Sequence, residues 1–317
     1  MVFHKALFLV PFCSLFTLNL YMILFQSILS MTNLLLMTPN SIILLHLVKF
    51  ITINSIGNCF TEIKTWMTDH KLKLNENKTE AILFHSSNSF NKHIKPSSIP
   101  IGSSDIPFSQ NARNLGFIMS DNVSSDAHIN SICRSAYAAL RRISAIRKYL
   151  TIHATTVLVC AFVLSRLDYG NALLINSPKS SILKLQKVQN AAARLISKTR
   201  KYDHITPVLK NLHWLPIHLR IQYKILVLCF NFFLGLSPVY ISDILSIYIP
   251  KRQLRSSTDD RILQVPSVNT KRYGQRAFSH AAPKLWNTLP YSLRHLNSTV
   301  AFKRQLKTHL FKDYYQV

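Results

Sequence analysis

Glycine is scarce in this sequence, with 6 residues in 317. Loops that wrap around phosphate groups need glycine, because the backbone must approach the phosphate closely and adopt conformations that side chains disfavour. Neither G-x-x-x-x-G-K nor G-x-G-x-x-G occurs in the chain. Nucleotide-binding proteins that depend on either loop are therefore excluded.

Cysteine is also sparse, and no C-x-x-C pair is present. An odd and scattered set predicts free thiols in a reducing compartment, and it excludes a disulfide framework or a zinc knuckle. We accordingly expect no metal site. The five cysteines are Cys13, Cys59, Cys133, Cys160 and Cys229.

Acidic residues are the third shortage. The chain has 13 Asp and Glu against 38 Lys and Arg, a formal net charge of +25. From Ala127 onward, 29 Lys and Arg face only 6 acids. Such a surplus indicates nucleic acid as the first candidate partner and an anionic membrane surface as the second.

The first fifty residues contain no acid at all and are strongly apolar. Taken at face value, Ala6 to Phe25 and Ile28 to Val48 are one or two transmembrane helices, or a signal peptide flanked by Lys5. On this interpretation the chain is bound to a membrane. Otherwise its location is unknown, and a location in the cytoplasm or nucleus is expected only from the family resemblance described below.

A basic helix is predicted from Ile129 to Tyr149. Ile132, Ala136, Leu140 and Ile143 recur at helical spacing and define a buried face. The cations lie elsewhere on the helix and suit contacts with nucleic-acid phosphates, although a solvated basic face is the alternative. They are Arg134, Arg141, Arg142, Arg147 and Lys148.

A second helix of the same kind is predicted from Ser181 to Ile196. Its apolar stripe consists of Ile182, Leu185, Val188, Ala192, Leu195 and Ile196, while four cations point away from that stripe. These candidate nucleic-acid ligands are Lys184, Lys187, Arg194 and Lys198.

Between these helices, Thr151 to Leu174 predicts a core segment. We expect a buried set there, and a structural pair or cap formed by Arg166 and Asp168. Asp168 lacks a second carboxylate nearby and is a poor catalytic candidate. The expected core side chains are Val157, Cys160, Ala161, Leu164 and Leu167.

The C-terminal part is predicted to end in a helix, Thr299 to Tyr315, capped by Ser298. Before it, Lys251 to Arg276 has many cations and suits an extended nucleic-acid contact through Lys271, Arg272 and Arg276. Three histidines, His204, His213 and His218, are more consistent with a packed turn than with metal ligation, since no Cys or acid completes a site.

Several segments in order carry a family resemblance: SRLDYGNALL (165–174), LQKVQNAAARLI (185–196), HITPVLKNLHWLPI (204–217), LSPVYISDIL (236–245) and APKLWNTLP (282–290). Together they resemble the C-terminal part of the reverse transcriptase of non-LTR (LINE-type) retrotransposons, from roughly Ser55 to Phe311.

The resemblance implies a mainly α fold with a small α+β remnant: a palm-tail hairpin, then a helical thumb and a helical C-terminal region. The expected divisions are residues 1–50, an apolar leader; 51–126, the end of the palm; 127–235, a thumb-like region; and 236–317, a basic C-terminal region. RNA and DNA are the implied partners.

Individual residues also inherit expected roles from the family. Lys78, in the run LKLNENKTE (72–80), matches a lysine near the incoming triphosphate; the alternative is a surface charge on a hairpin. Leu115 and Gly116 match a strand that supports the primer end, and the alternative is a plain edge strand ended by Gly116.

Two boxes of the family palm are missing. Intact members carry GVPQGSVLGPLLF and FADDTQLY, and the aspartate pair of the second holds catalytic Mg²⁺. With the codons shifted back by one base, Met1–Val2 forces Gly, His4–Lys5 allows only Gln or a stop, and Met37–Thr38 forces Asp. We infer that residues 1–50 are palm sequence translated out of frame.

Three hypotheses for function follow. The first is a fragment of an RNA-directed DNA polymerase that keeps nucleic-acid-binding parts but lacks the catalytic aspartates and is inactive, with no cofactor as translated. The second is a non-catalytic basic nucleic-acid-binding protein. The third is a membrane-anchored protein, if the leader is genuine.

The coding DNA tests the frame interpretation. We expect the neighbouring frame to encode Ala-Asp-Asp across Leu36 to Thr38. Sequencing of the locus that finds codons unable to encode this triplet would remove the lost-palm hypothesis and make the apolar leader genuine.

Overall fold

Short strands at the start of the chain give way to helices after Asp126, following the change in sequence pattern from alternating to helical periodicity. The computed structural model describes residues 5–10, 35–37, 42–47, 61–72, 80–84, 98–101, 104–250, 261–270 and 274–316. Within them the protein is mostly helical, with small antiparallel hairpins. The chain divides into two units, Met1–His128 and Ile129–Val317.

The first unit contains an antiparallel sheet with strand order β2-β3-β1-β4 and two separate hairpins, β5-β6 and β7-β8. The strands are β1 Lys5–Val10, β2 Leu35–Met37, β3 Ile42–Leu47, β4 Glu80–Phe84, β5 Ser98–Ile101, β6 Ser104–Pro107, β7 Asn111–Asn114 and β8 Phe117–Ser120.

One helix, α1 (residues 61–69), accompanies these strands. Ile63 and Met67 are buried one turn apart, as the predicted helical stripe requires. The hairpin predicted between Leu72 and Phe84 is seen only in part, because residues 73–79 lie outside the described residues. Its second strand, β4, pairs with β1.

The second unit is built from helices. They are α2 Asp126–Ile146, which begins at the boundary, α3 Ile152–Val159, α4 Ser165–Asp168, α5 Lys179–Ser197, α6 Thr206–Asn211, α7 Ile217–Phe233, α8 Val239–Ser242, α9 Phe278–Trp286, α10 Tyr291–Arg294 and α11 Thr299–Tyr315.

The bounds of the long helices agree with their sequence signals. Ser298 Oγ accepts a hydrogen bond from Ala301 N, so α11 has the predicted cap. Helix α7 ends before Gly235, whose φ of +67° is a conformation that glycine adopts without steric cost. The predicted cap at Ser298 is confirmed.

An aromatic cluster joins α7, α9 and α11. The rings of Phe230 and Phe302 stack with centroids 4.0 Å apart, and Phe233 stacks on Trp286 at 5.1 Å. Phe230, Phe302 and Trp286 are fully buried. Large aromatic side chains remove much apolar surface from water, so this cluster is a principal source of stability in the helical unit.

The extended segment after residue 260 is attached to this cluster. Trp286 Nε1 donates a 2.7 Å hydrogen bond to the carbonyl oxygen of Arg261, and the Asn287 amide bonds both backbone groups of Leu263. Trp286 and Leu289 are buried, whereas residues 251–260 and 271–273 lie outside the described residues.

The core assignment for residues 157–167 was partly wrong. Leu164 and Leu167 are buried, but Val157 is 52% exposed, and Cys160 and Ala161 are exposed too. The buried side chains instead include Thr155, Val159 and Val163. Helix α3 is apolar on all sides, so its hydrophobic pattern does not define which face is buried.

The membrane interpretation concerns mostly residues that the structure does not describe. Of Ala6 to Phe25, only the beginning is described, and Lys5–Val10 is a strand there, not the start of a helix. Among the described residues, no helix combines the length and the apolar character needed to cross a bilayer.

The aromatic cluster gives a stability prediction. Phe302→Ala is expected to lower the free energy of unfolding by about 3–5 kcal/mol, because it removes a buried ring and leaves a cavity. Val300→Ala, on the same helix at a 79% exposed position, should change it by less than about 0.5 kcal/mol. Urea unfolding followed by circular dichroism measures both. Equal effects of the two changes would contradict the burial of Phe302.

Candidate nucleic-acid interface

Helix α2 separates its apolar and basic faces. Ile132, Ala136, Leu140 and Ile143 are all buried, which confirms the predicted packing face. The exposed face carries cations with one aromatic ring among them, an arrangement that suits contact with both phosphates and bases. Its exposed side chains are Arg134, Tyr137, Arg141 and Arg142, followed by Lys148 in the next turn.

Tyr137 was not among the candidates taken from the sequence. It lies three residues after Arg134 and four before Arg141, so all three share one side of the helix. The phenol is 40% exposed, and its pKa is raised by partial burial and by Cys133. The i, i+3 and i+7 spacing was the signal that could have identified it.

Arg147 does not belong to this exposed set. Its side chain is only 8% exposed, and its guanidinium donates hydrogen bonds to the carbonyl oxygens of Leu195, Ile196 and Leu150, at 2.9, 3.0 and 2.9 Å. All three nitrogens are therefore used inside the protein. The prediction that Arg147 contacts nucleic acid conflicts with this geometry, because a phosphate would have to displace those carbonyls.

Helix α5 carries the second basic face. Leu185, Val188, Ala192 and Ile196 are buried, while Ile182 and Leu195 are half-buried. Lys184, Lys187 and Lys198 are exposed on the other side. Arg194 lies on the same side but is half-buried, and it donates hydrogen bonds to the carbonyl oxygens of Arg200 and Asp203.

Two contacts show that α2 and α5 lie side by side and run in the same direction. Near the start of α2, Asn130 Oδ1 accepts a 3.1 Å hydrogen bond from Lys184 Nζ. Beyond its end, Arg147 bonds the last carbonyls of α5. At 1.5 Å per residue, the two contacts are about 25 Å apart along α2 and about 17 Å apart along α5. The basic faces of the two helices therefore adjoin and form one elongated surface, which we call the α2–α5 surface.

Asp168, the one acid in the sequence between α2 and α5, is paired with an arginine elsewhere in the helical unit. Asp168 Oδ2 bonds Arg220 Nη1 at 2.7 Å, so the predicted pairing of Asp168 with Arg166 is wrong. The partner lies 52 residues away in sequence and three helices further along, beyond the reach of local pattern analysis. No acid occurs between Asp126 and Asp168 in the sequence.

Leu115 and Gly116 form the two-residue turn of the β7-β8 hairpin. Both have positive φ, 47° and 86°, as a hairpin turn of the I′ type requires. Leu115 is 57% exposed at the tip. Gly116 thus lies in a turn between two paired strands and does not simply end an edge strand.

His128 supports this hairpin from below. Its Nδ1 accepts a 3.3 Å hydrogen bond from Ile118 N, and its ring packs against Phe117 at 3.9 Å. Burial, and secondarily Arg113, lower the pKa of His128. The imidazole is therefore neutral near pH 7 and contributes packing to the hairpin.

The histidine-rich turn is packed, as predicted. Trp214 is buried, the His213 ring lies 5.5 Å from Phe311, and the His218 ring lies 5.7 Å from Tyr314. Within the part of the chain that the structure describes, no three His, Cys, Asp or Glu side chains converge on a metal-binding position.

The remaining candidates belong to neither α2 nor α5, or they lie outside the described residues. Arg276 is half-buried, and its guanidinium lies 3.4 Å from Ser177 Oγ. Lys78, Lys271 and Arg272 lie outside the described residues, so their expected roles stay predictions.

Comparisons with protein-family models, with curated proteins and with solved structures found no match for this chain.

Arg147 and Arg141 form a matched pair for a test. Arg147→Gln is expected to lower the free energy of unfolding by about 3 kcal/mol, because three charge-assisted hydrogen bonds to buried carbonyls are lost. Arg141→Gln, on the exposed face, should change it by less than about 0.5 kcal/mol. Urea unfolding compares them, and an unchanged midpoint for Arg147→Gln would contradict the structural role.

Proposed function

We propose that this chain is a fragment of a LINE-type reverse transcriptase. It binds the sugar-phosphate backbone of RNA or DNA and does not polymerise nucleotides. The observation that carries the binding is the pair of neighbouring parallel helices, α2 and α5, whose exposed cations are spread over about 17–25 Å. No acid occurs in the sequence between Asp126 and Asp168, or between Asp168 and Asp203. The lineage rests on the ordered motifs of the sequence.

Phosphate contact explains the character of this surface. Each cation that neutralises a phosphate releases a condensed counterion, so binding gains free energy without reading base sequence. The exposed cations of α2, together with Lys184 and Lys187, are spread over several helical turns and suit a strand or duplex better than a small anion. Tyr137 adds a ring on which an unpaired base could stack.

Polymerisation needs more than a surface of this kind. Two-metal phosphoryl transfer depends on carboxylates that hold the ions. The sequence contains no Asp or Glu before Glu62, the region where the family carries its aspartate pair. The residues present therefore do not fit the Mg²⁺ of the intact family, and we derive no catalytic step through it.

The proposal predicts strongly salt-dependent binding that is tolerant of sequence. Replacing Arg134, Arg141 and Lys148 together by Gln should weaken binding of a single-stranded RNA and reduce the slope of log K against log salt by about 2–3, because three phosphate contacts are lost. Fluorescence anisotropy over a salt series measures this slope.

The control is a second triple variant with the same change of charge. Lys303, Arg304 and Lys312 are exposed on α11, outside the α2–α5 surface, and their replacement by Gln should leave the slope nearly unchanged. Equal losses in both variants would show that only total charge matters. Magnesium-dependent nucleotide incorporation by the purified chain would contradict the non-catalytic part.

A further inference from the structure

A cleft of about 410 Å³ lies in the helical unit, away from the residues assigned to the α2–α5 surface. It is lined by the turn before α7, by α7 itself and by α11, with Asp168 at its edge. Its volume lies within the usual range for sites that hold a small molecule of nucleotide size. Its lining residues include Trp214, Arg220, Tyr223, Lys224 and Lys307.

The cleft is lined by three cationic side chains and one carboxylate, so two positive charges are not balanced by an acid of its lining. Arg220 is committed, since its Nη1 bonds Asp168 at 2.7 Å and its Nε bonds the carbonyl oxygen of Leu215 at 2.9 Å. Lys224 and Lys307 are exposed, and among the residues that the structure describes, Asp168 is the one acid that lines the cleft. Two ammonium groups from different helices therefore face the same space, which favours an anion with more than one oxygen.

The same cleft has aromatic walls. Trp214 and Tyr223 line it, and the position of Trp214 is fixed through its backbone, because Tyr315 Oη donates a 2.9 Å hydrogen bond to the Trp214 carbonyl oxygen. Burial raises the pKa of Tyr315 to about 12, so this phenol keeps its proton at physiological pH. Flat apolar walls beside cations suit a molecule with a planar ring and a charged group.

We propose that this cleft binds a phosphate monoester attached to a planar base, that is, a nucleotide, either free or at the 5′ end of a strand. Lys224 and Lys307 hold the phosphate, and Trp214 and Tyr223 contact the base. The Arg220–Asp168 pair neutralises the one carboxylate that would otherwise repel the phosphate. The site uses none of the α2 or α5 cations, so it does not rest on the function proposed above.

The test is calorimetric titration of the full chain with AMP and with adenosine. AMP is expected to bind at least tenfold more tightly than adenosine, because the phosphate contributes charge-assisted contacts. Lys224→Gln and Lys307→Gln should each weaken AMP binding about tenfold and leave adenosine binding unchanged. Both lysines are exposed, so neither change is expected to disturb folding.

Lys303→Gln is the matched control, since it removes an exposed charge from the same helix as Lys307 without lining the cleft. It should change AMP affinity less than twofold. The proposal is overturned if AMP binds no better than adenosine, or if Lys303→Gln weakens AMP binding as much as Lys307→Gln.

A second comparison distinguishes the two sources of the phosphate. A 5′-phosphorylated tetranucleotide that binds more tightly than AMP, and loses this advantage when its 5′ end is a hydroxyl, assigns the site to a strand end. Weaker binding of both tetranucleotides than of AMP assigns it to a free nucleotide. The α2 triple variant should bind AMP normally, so failure of the interface and failure of the cleft are distinguishable.

Discussion

The guanidinium of Arg147 ties the end of the first basic helix, α2, to the end of the second, α5. It follows α2 directly and bonds carbonyl oxygens in the last turn of α5, where helical carbonyls have no partner within their own helix. A cation at this end of a helix also interacts favourably with the helix dipole. The planar fork reaches carbonyls of α5 and the Leu150 carbonyl in the turn after α2 at once. It therefore holds the end of α2 against the end of α5, while the Lys184–Asn130 bond joins the two helices nearer their beginnings.

Two of the six acids from Ala127 onward also have structural tasks. Asp168 holds Arg220, and Asp203 accepts a hydrogen bond from the backbone of Arg200 in the turn after α5. Carboxylates committed to such tasks do not neutralise the exposed cations of α2 and α5. In water these cations are screened by mobile ions, and replacing those ions by phosphates is the source of binding free energy. The shortage of acidic residues in the sequence thus leaves the exposed surface of α2 and α5 positively charged.

Prediction from the sequence succeeded where a helix had one apolar face and failed where contacts were distant. The buried stripes of α2 and α5 and the cap at Ser298 follow from local spacing, and the structure has them. Arg147 could not be told from Arg141 and Arg142, since all three are arginines on one basic run. What distinguishes them is α5, nearly fifty residues further along the chain. The cleft was missed for the same reason, because Lys224 and Lys307 come from helices far apart in sequence.

The π-helical turn at Cys160–Leu164, between α3 and α4, has a consequence for the Asp168–Arg220 pair. Such a turn holds one more residue than an α-helical turn, so every side chain after it is rotated by about 100° relative to an uninterrupted helix. Asp168 lies four residues beyond the turn and meets Arg220 only in this rotated phase. A single residue of surplus chain therefore sets the direction in which the carboxylate points, and with it the neutral edge of the neighbouring cleft.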